Sequence, residues 1–203
     1  MRRLLLATVW SLTALLVAPS FVAASEPSQT IRQERDTRKQ RALLLTLLGA
    51  HEYSPSLRVL KRIGTERELT RQLIYISGWK RYRSVIRVRA LATLALFPTD
   101  DVYKYLLSVV HERDNVGHTL GLLLRKQALR SLGRGFGNRA ISDLVAVRSD
   151  PNAQIREGVA QGLGDTRSSA AIVHLEAWLP NEKELFVRVA IDNALEIVRK
   201  ARR

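Results

Sequence analysis

The sequence predicts an all-α fold, a right-handed α-α superhelix of about five helix pairs, and three observations carry that prediction. The first is a recurring segment. Residues 86–97, 124–133, 155–164 and 187–196 align on Arg89, Arg125, Arg156 and Arg188. One place before each arginine stands an aliphatic residue (Val88, Leu124, Ile155, Val187), and three places after stands Ala92, Ala128, Val159 or Ile191. Six after comes a small residue (Ala95, Ser131, Gly162, Ala194), and seven after a leucine (Leu96, Leu132, Leu163, Leu195). The second observation is the period. The arginines are 36, 31 and 32 residues apart, a spacing that belongs to stacked repeats. The third is phase: these offsets share one face of a helix with about 3.6 residues per turn, and the arginine borders that face.

The elements follow in chain order. Residues 1–24 open with Met1-Arg2-Arg3, continue through the uncharged run 4–24, and place Val22 and Ala24 at the −3 and −1 positions of a cleavage site. This is the form of a secretory signal peptide cut before Ser25. The alternative is a retained inner-membrane anchor, because the 21 residues of 4–24 are enough to cross about 30 Å of hydrocarbon. Arg32, Arg35, Arg38, Lys39 and Arg41 outnumber Arg2 and Arg3, which weighs against export under the positive-inside rule. Residues 25–54 form an N-terminal basic segment and capping helix, and 55–203 the repeat domain. Within it, 55–64 keeps Val59, Ile63 and Gly64 at the repeat offsets but has Ser56 for the arginine and Arg62 for the small residue. A terminal, capping repeat should look like that. Second amphipathic helices lie at roughly 102–111, 139–147 and 167–179. A unit of some thirty residues buries its apolar face only against neighbours, so the small residue at +6 is expected where helices approach closely and the leucine at +7 in the core between layers. Gly133 and Gly164 are expected to cap their helices in the left-handed conformation.

The aliphatic-Arg-x-x-Ala-x-x-small-Leu-Gly helix resembles the HEAT-like repeats, especially the short type of phycobilisome lyases. The stretch Asp150-Pro151-Asn152-Ala153-Gln154-Ile155-Arg156 is similar to that family's Asp-Pro turn entering the second helix. The resemblance covers about residues 55–200. It implies a solenoid whose second helices line a concave face, and an acidic residue ahead of the second helix bonding the repeat arginine. Asp150 and Arg156, and Glu182 and Arg188, are each six apart, whereas Arg83 and Thr119 occupy that place in the other repeats.

Composition bounds the partners. The chain has no cysteine, which excludes disulfides, thiolate zinc sites and lipoprotein acylation. Its formal charge is +14, and removal of residues 1–24 takes away only Arg2 and Arg3. Such a surface attracts polyanions: lipopolysaccharide, anionic lipid or acidic protein in a bacterial envelope, nucleic acid in a cytoplasm. Two clusters are candidate partner-binding sites. Trp79, Lys80, Arg81, Tyr82 and Arg83, followed by Arg87, interleave aromatic and basic residues between helices, an arrangement that serves stacked or apolar groups together with phosphate or carboxylate. The alternative is that the rings pack beneath the loop. Lys126, Arg130 and Arg134 are spaced four apart on one side of a repeat helix, either facing a ligand or solvated.

Catalytic signals are poor. His111, Glu112, Asp114 and His118 fall in one long connection, but their spacing matches no helical histidine pair and supplies no second shell, so no metal or cofactor is expected. The glycine-rich 133–137 lacks the strand and Lys-Ser/Thr of a phosphate loop and reads as a flexible turn. Three functions follow: an exported, non-enzymatic scaffold or adaptor that grips a protein, acidic or offering an extended segment; a binder of anionic polymers; and, from the resemblance alone, an enzyme of the bilin-lyase kind. The leader implies a periplasmic or secreted location for the first.

Overall fold

The computed structural model describes residues 27–52, 55–112 and 119–201. The leader 1–24 lies outside them, as do Asp114 and His118. Ten α-helices are present among the described residues, with no strand: α1 (Pro27–Gly49), α2 (Leu57–Leu60), α3 (Glu66–Gly78), α4 (Ser84–Leu94), α5 (Asp100–His111), α6 (Thr119–Phe136), α7 (Ile141–Ala146), α8 (Ala153–Asp165), α9 (Ile172–Trp178) and α10 (Leu185–Ala201). Tight 3-10 turns at Gly137–Ala140 and Ser169–Ala171 lead into α7 and α9. The pairs are α3/α4, α5/α6, α7/α8 and α9/α10. Their second members stack in the order α4, α6, α8, α10, and α1 packs on α4 ahead of them. This is an α-helical solenoid of the HEAT-like kind.

Local chemistry sets the helix starts. Thr65 and Glu68 form a capping box, each side chain accepting from the other's backbone N–H. Thr99 accepts from Val102 N at the start of α5, with Asp100 and Asp101 in its first turn, where carboxylates complement the helix dipole. Asn152, not Asp150, caps α8, accepting from Gln154 N at 2.9 Å.

One continuous core runs through the stack. Leu132, Leu163 and Leu195 are buried in it, as are Ala128, Val159 and Ile191. Small residues mark the close approaches. A Cβ on Gly162 would stand 2.7 Å from Leu129 O, and one on Gly133 would stand 1.9 Å from Gly162 O. Ser131 instead donates its hydroxyl to Leu91 O at 2.9 Å, tying α6 to α4.

Four expectations are corrected. Gly133 and Gly164 are helical, and their role is space: a Cβ on Gly164 would meet Ala194 Cα at 3.0 Å. The left-handed residues among those described are Gly137 (φ 52°) and Arg167 (φ 51°); the 133–137 stretch is not a flexible turn, because Gly133 to Phe136 complete α6 and the chain turns only at its last residue. The 55–64 stretch holds only the single turn α2. Leu60 is its buried residue and Val59 is exposed.

The fourth correction is a register. In α4 the buried residues are Arg87, Ala90, Leu91, Thr93 and Leu94, whereas Val88, Ala92 and Leu96 are only partly buried. Arg87 donates Nε to Ser77 O at the end of α3, just as Arg125 donates Nε to Val110 O near the end of α5. Arg87 is therefore the repeat arginine of α4. Counted from it, Ile86, Ala90, Thr93 and Leu94 restore the aliphatic, alanine, small and leucine positions. Arg89 reaches back to Leu48 O and Ala50 O, at 2.8 and 2.6 Å, and holds the C-terminal end of α1.

Candidate functional site

The repeat arginines form a ladder that points forward. Arg125 Nη2 donates to Asp150 Oδ2 at 2.7 Å, and Arg156 donates from Nε and Nη2 to the two oxygens of Glu182 at 2.9 and 2.8 Å. Each acidic residue thus bonds the arginine of the preceding repeat, 25 and 26 residues back, not the one six places on. Arg156 does touch its own turn, through the carbonyl of Asp150. Arg188 is exposed and makes no ion pair among the described residues. The Arg156 guanidinium, helped by the Glu184 and Lys183 N–H groups, holds the Glu182 carboxyl down at about 2 against the opposing effect of burial. These buried pairs fix the angle between successive layers.

The open face of the second-helix layer consists of the residues one, five and nine places after each arginine. On α4 and just beyond it they are Val88, Ala92 and Leu96; on α6, Lys126, Arg130 and Arg134; on α8, Glu157, Gln161 and Asp165; on α10, Val189, Asn193 and Ile197. The cationic stripe of α6 meets the acidic stripe of α8. Lys126 Nζ lies 2.8 Å from Glu157 Oε2, and Asp165 Oδ2 takes both Arg130 Nε at 3.0 Å and Arg134 Nη2 at 3.5 Å. The three cations are thus shared with two carboxylates rather than presented to solvent alone.

Beyond that pairing the face turns apolar. Phe186, Val189 and Ile197 of α10 are exposed, and Leu185 at the helix start is 72% exposed. With Glu157, Gln161 and Asp165 they border an open groove of about 690 Å³ between α8 and α10, whose nearer end is marked by Arg130. No feature singled out in the sequence pointed to this groove. The available signal was aliphatic Val189 and Ile197 at positions that carry charge on α6 and α8.

The aromatic-basic cluster resolves into two parts. Arg87 belongs to the core at 7% exposure, so it is no part of a surface site. The rings stack on α3: Trp79 lies 5.3 Å from Tyr75 with planes 24° apart, and Tyr82 meets Tyr75 edge-on at 6.4 Å. Trp79 nevertheless stays 43% exposed. Lys80, Arg81 and Arg83 are exposed and form no ion pair among the described residues. Arg41 of α1 completes the stack, its guanidinium 4.2 Å above the Tyr75 ring while Nε donates to Gln72 Oε1 at 2.7 Å. His51 and His111 are exposed, His174 is half-buried, and no metal-binding cluster of acidic and histidine side chains occurs among the described residues. No described helix is long and apolar enough to cross a membrane.

Residues 123–196 match the HEAT-repeat family. The match covers α6 to α10, where the forward ladder and the glycine contacts lie. No curated protein matches the chain.

Proposed function

We propose that this protein is a non-enzymatic scaffold that holds a partner protein by an apolar segment laid in the α8–α10 groove. HEAT repeats support protein interaction as the general role. The finer reading is carried by one observation: the charged residues of the open face are engaged with one another across α6 and α8, while the α10 side remains apolar and uncovered among the described residues. An extended or helical segment with aliphatic or aromatic side chains fits such a wall, and its polar edge meets Gln161 and Asn193. The leader sequence supports a bacterial envelope as the place of action, with residues 1–24 removed on export.

The test is a pull-down from envelope extract with the wild type and with Phe186→Ser/Val189→Ser, at low and at high salt. Both side chains are exposed, so the variant is expected to melt within a few degrees of the wild type. A partner retained at high salt and lost from the variant supports the reading. A partner that washes off with salt and binds both proteins equally overturns it, because polyanion or rim contacts weaken with ionic strength and burial of apolar surface does not.

A further inference from the structure

The α3–α4 corner lies on the N-terminal side of the stack, away from the groove, and carries a different chemistry. Arg41, Tyr75 and Trp79 form a column of cation, ring and ring, with Tyr82 on its edge. Beside it Lys80, Arg81 and Arg83 project without a carboxylate partner among the described residues, whereas Lys126, Arg130 and Arg134 on α6 all have one. Arg71 stands one helical turn before Tyr75 and is exposed as well. The nearest acidic groups on α3 are Glu66 and Glu68, in its first turn, and Glu68 is already engaged by Thr65 and Gln40. The corner therefore carries an excess of positive charge among the described residues, with Glu112 at the end of α5 acting on Tyr105 behind Ser77, and it bears a half-exposed indole.

We infer that this corner docks on an anionic phospholipid surface, with Trp79 at the headgroup level and Lys80, Arg81 and Arg83 against the lipid phosphates. Two features select a bilayer over a nucleic acid or an acidic protein. Trp79 is stacked on Tyr75 through one face, so its outer face and edge are offered to a boundary where an apolar ring and a polar N–H are both accommodated. Stacking between nucleic acid bases would call for successive open rings, but Tyr82 is turned edge-on and half-buried and leaves Trp79 as a single platform. The second feature is α1. Arg32, Arg35, Arg38 and Lys39 continue the positive charge along the helix that reaches this corner through Arg41, opposed by Glu34 and Asp36. The uncharged run 4–24 precedes that helix, a sequence that targets the chain to a membrane whether it is cut there or kept. Attraction of this kind falls off within a Debye length, so the cations must sit close to the surface.

The experiment uses the full chain and vesicles of phosphatidylcholine alone or with phosphatidylglycerol, and compares co-sedimentation of wild type, Lys80→Ser/Arg81→Ser/Arg83→Ser and Trp79→Ala. Insertion of residues 4–24 would add equally to all three proteins, so the reading is the preference for anionic vesicles. The wild type should prefer them, and the triple variant should lose roughly 100-fold of that preference, from three cations near an anionic surface. Its melting temperature should not change, since the three side chains are exposed. Trp79→Ala should lose affinity for both vesicle types and lose the part of the quenching by brominated lipid that exceeds what Trp10 in the 4–24 run supplies. Equal binding of the wild type to both vesicles overturns the inference. So does an unchanged preference in the triple variant. A wild type that binds an oligonucleotide through the same three cations while ignoring anionic vesicles assigns the corner to nucleic acid instead and overturns it as well.

Discussion

The junction of α6 with α8 and the junction of α1 with α4 join helices of the same layer by opposite means. At α6–α8 the backbones nearly touch, with Gly133 facing the Gly162 carbonyl, and the rung from Arg125 to Asp150 sets the angle. At α1–α4 a 23-residue helix leans on the stack through Leu44 and Leu48, both fully buried, while Arg89 clasps its last carbonyls. Gly49 at the end of α1 has nothing within 4 Å of its would-be Cβ. The difference shows what the repeat sequence encodes. Small residues and forward-pointing arginines are needed where one repeat meets the next, and a terminal helix does without them. The family match begins at residue 123, where the first kind of junction takes over.

The largest test of the contrast is a pair of glycine substitutions. Gly133→Ala places a carbon against backbone that cannot swing aside, and is expected to cost about 3 kcal/mol or more in chemical denaturation. Gly49→Ala meets open space and should be neutral or stabilising by up to about 1 kcal/mol. Equal effects at the two sites would mean that the α6–α8 approach is looser than described.

The second test separates the two arginines of α4. Arg87→Ala removes a buried guanidinium and leaves Ser77 O without its donor, so a loss of about 2 to 3 kcal/mol is expected. Arg89→Ala should cost about 1 kcal/mol globally. Its distinctive readout is faster amide hydrogen exchange confined to the C-terminal end of α1. The reverse ranking would restore Arg89 as the repeat arginine.

That pair also shows how far the sequence can be read. The fold class was legible because three of four repeats keep both the period and the buried face. Ile86-Arg87-Val88-Arg89-Ala90 satisfies the pattern twice, from either arginine. The two registers differ by about 200° around the helix, so they bury different side chains. What decides between them is the Ser77 carbonyl at the end of another helix, and no local pattern contains that. The same holds for the surface. Lys126, Arg130 and Arg134 were visible as a stripe, but their carboxylate partners lie 31 to 35 residues away on α8, beyond the reach of spacing along one helix. Arg41 over Tyr75 is a contact of the same kind. Phe186, Val189 and Ile197 look like ordinary core residues of an amphipathic helix until the helix that would cover them is found to be missing from that side of α10 among the described residues.

The smallest effect belongs to the second rung of the ladder, and pH exposes it. Glu182 ordinarily would titrate near 4.5, and the Arg156 hydrogen bonds hold it down at about 2 in the folded protein. A carboxyl depressed on folding contributes stability that is complete above its unfolded value and disappears as pH falls through the folded one. The contribution of this rung should therefore be full at pH 5 and above, shrink between about 4.5 and 2, and vanish below that window. Glu182→Gln keeps the shape and an amide oxygen for Arg156 but cannot ionise, so at neutral pH it should cost about 1 kcal/mol. Melting curves recorded from neutral pH into acid should converge as the wild type loses the advantage the variant never had. Curves that stay parallel through that window would show that the Arg156–Glu182 pair holds the α8 and α10 layers by shape alone, and that the charge on the rung adds nothing to the junction.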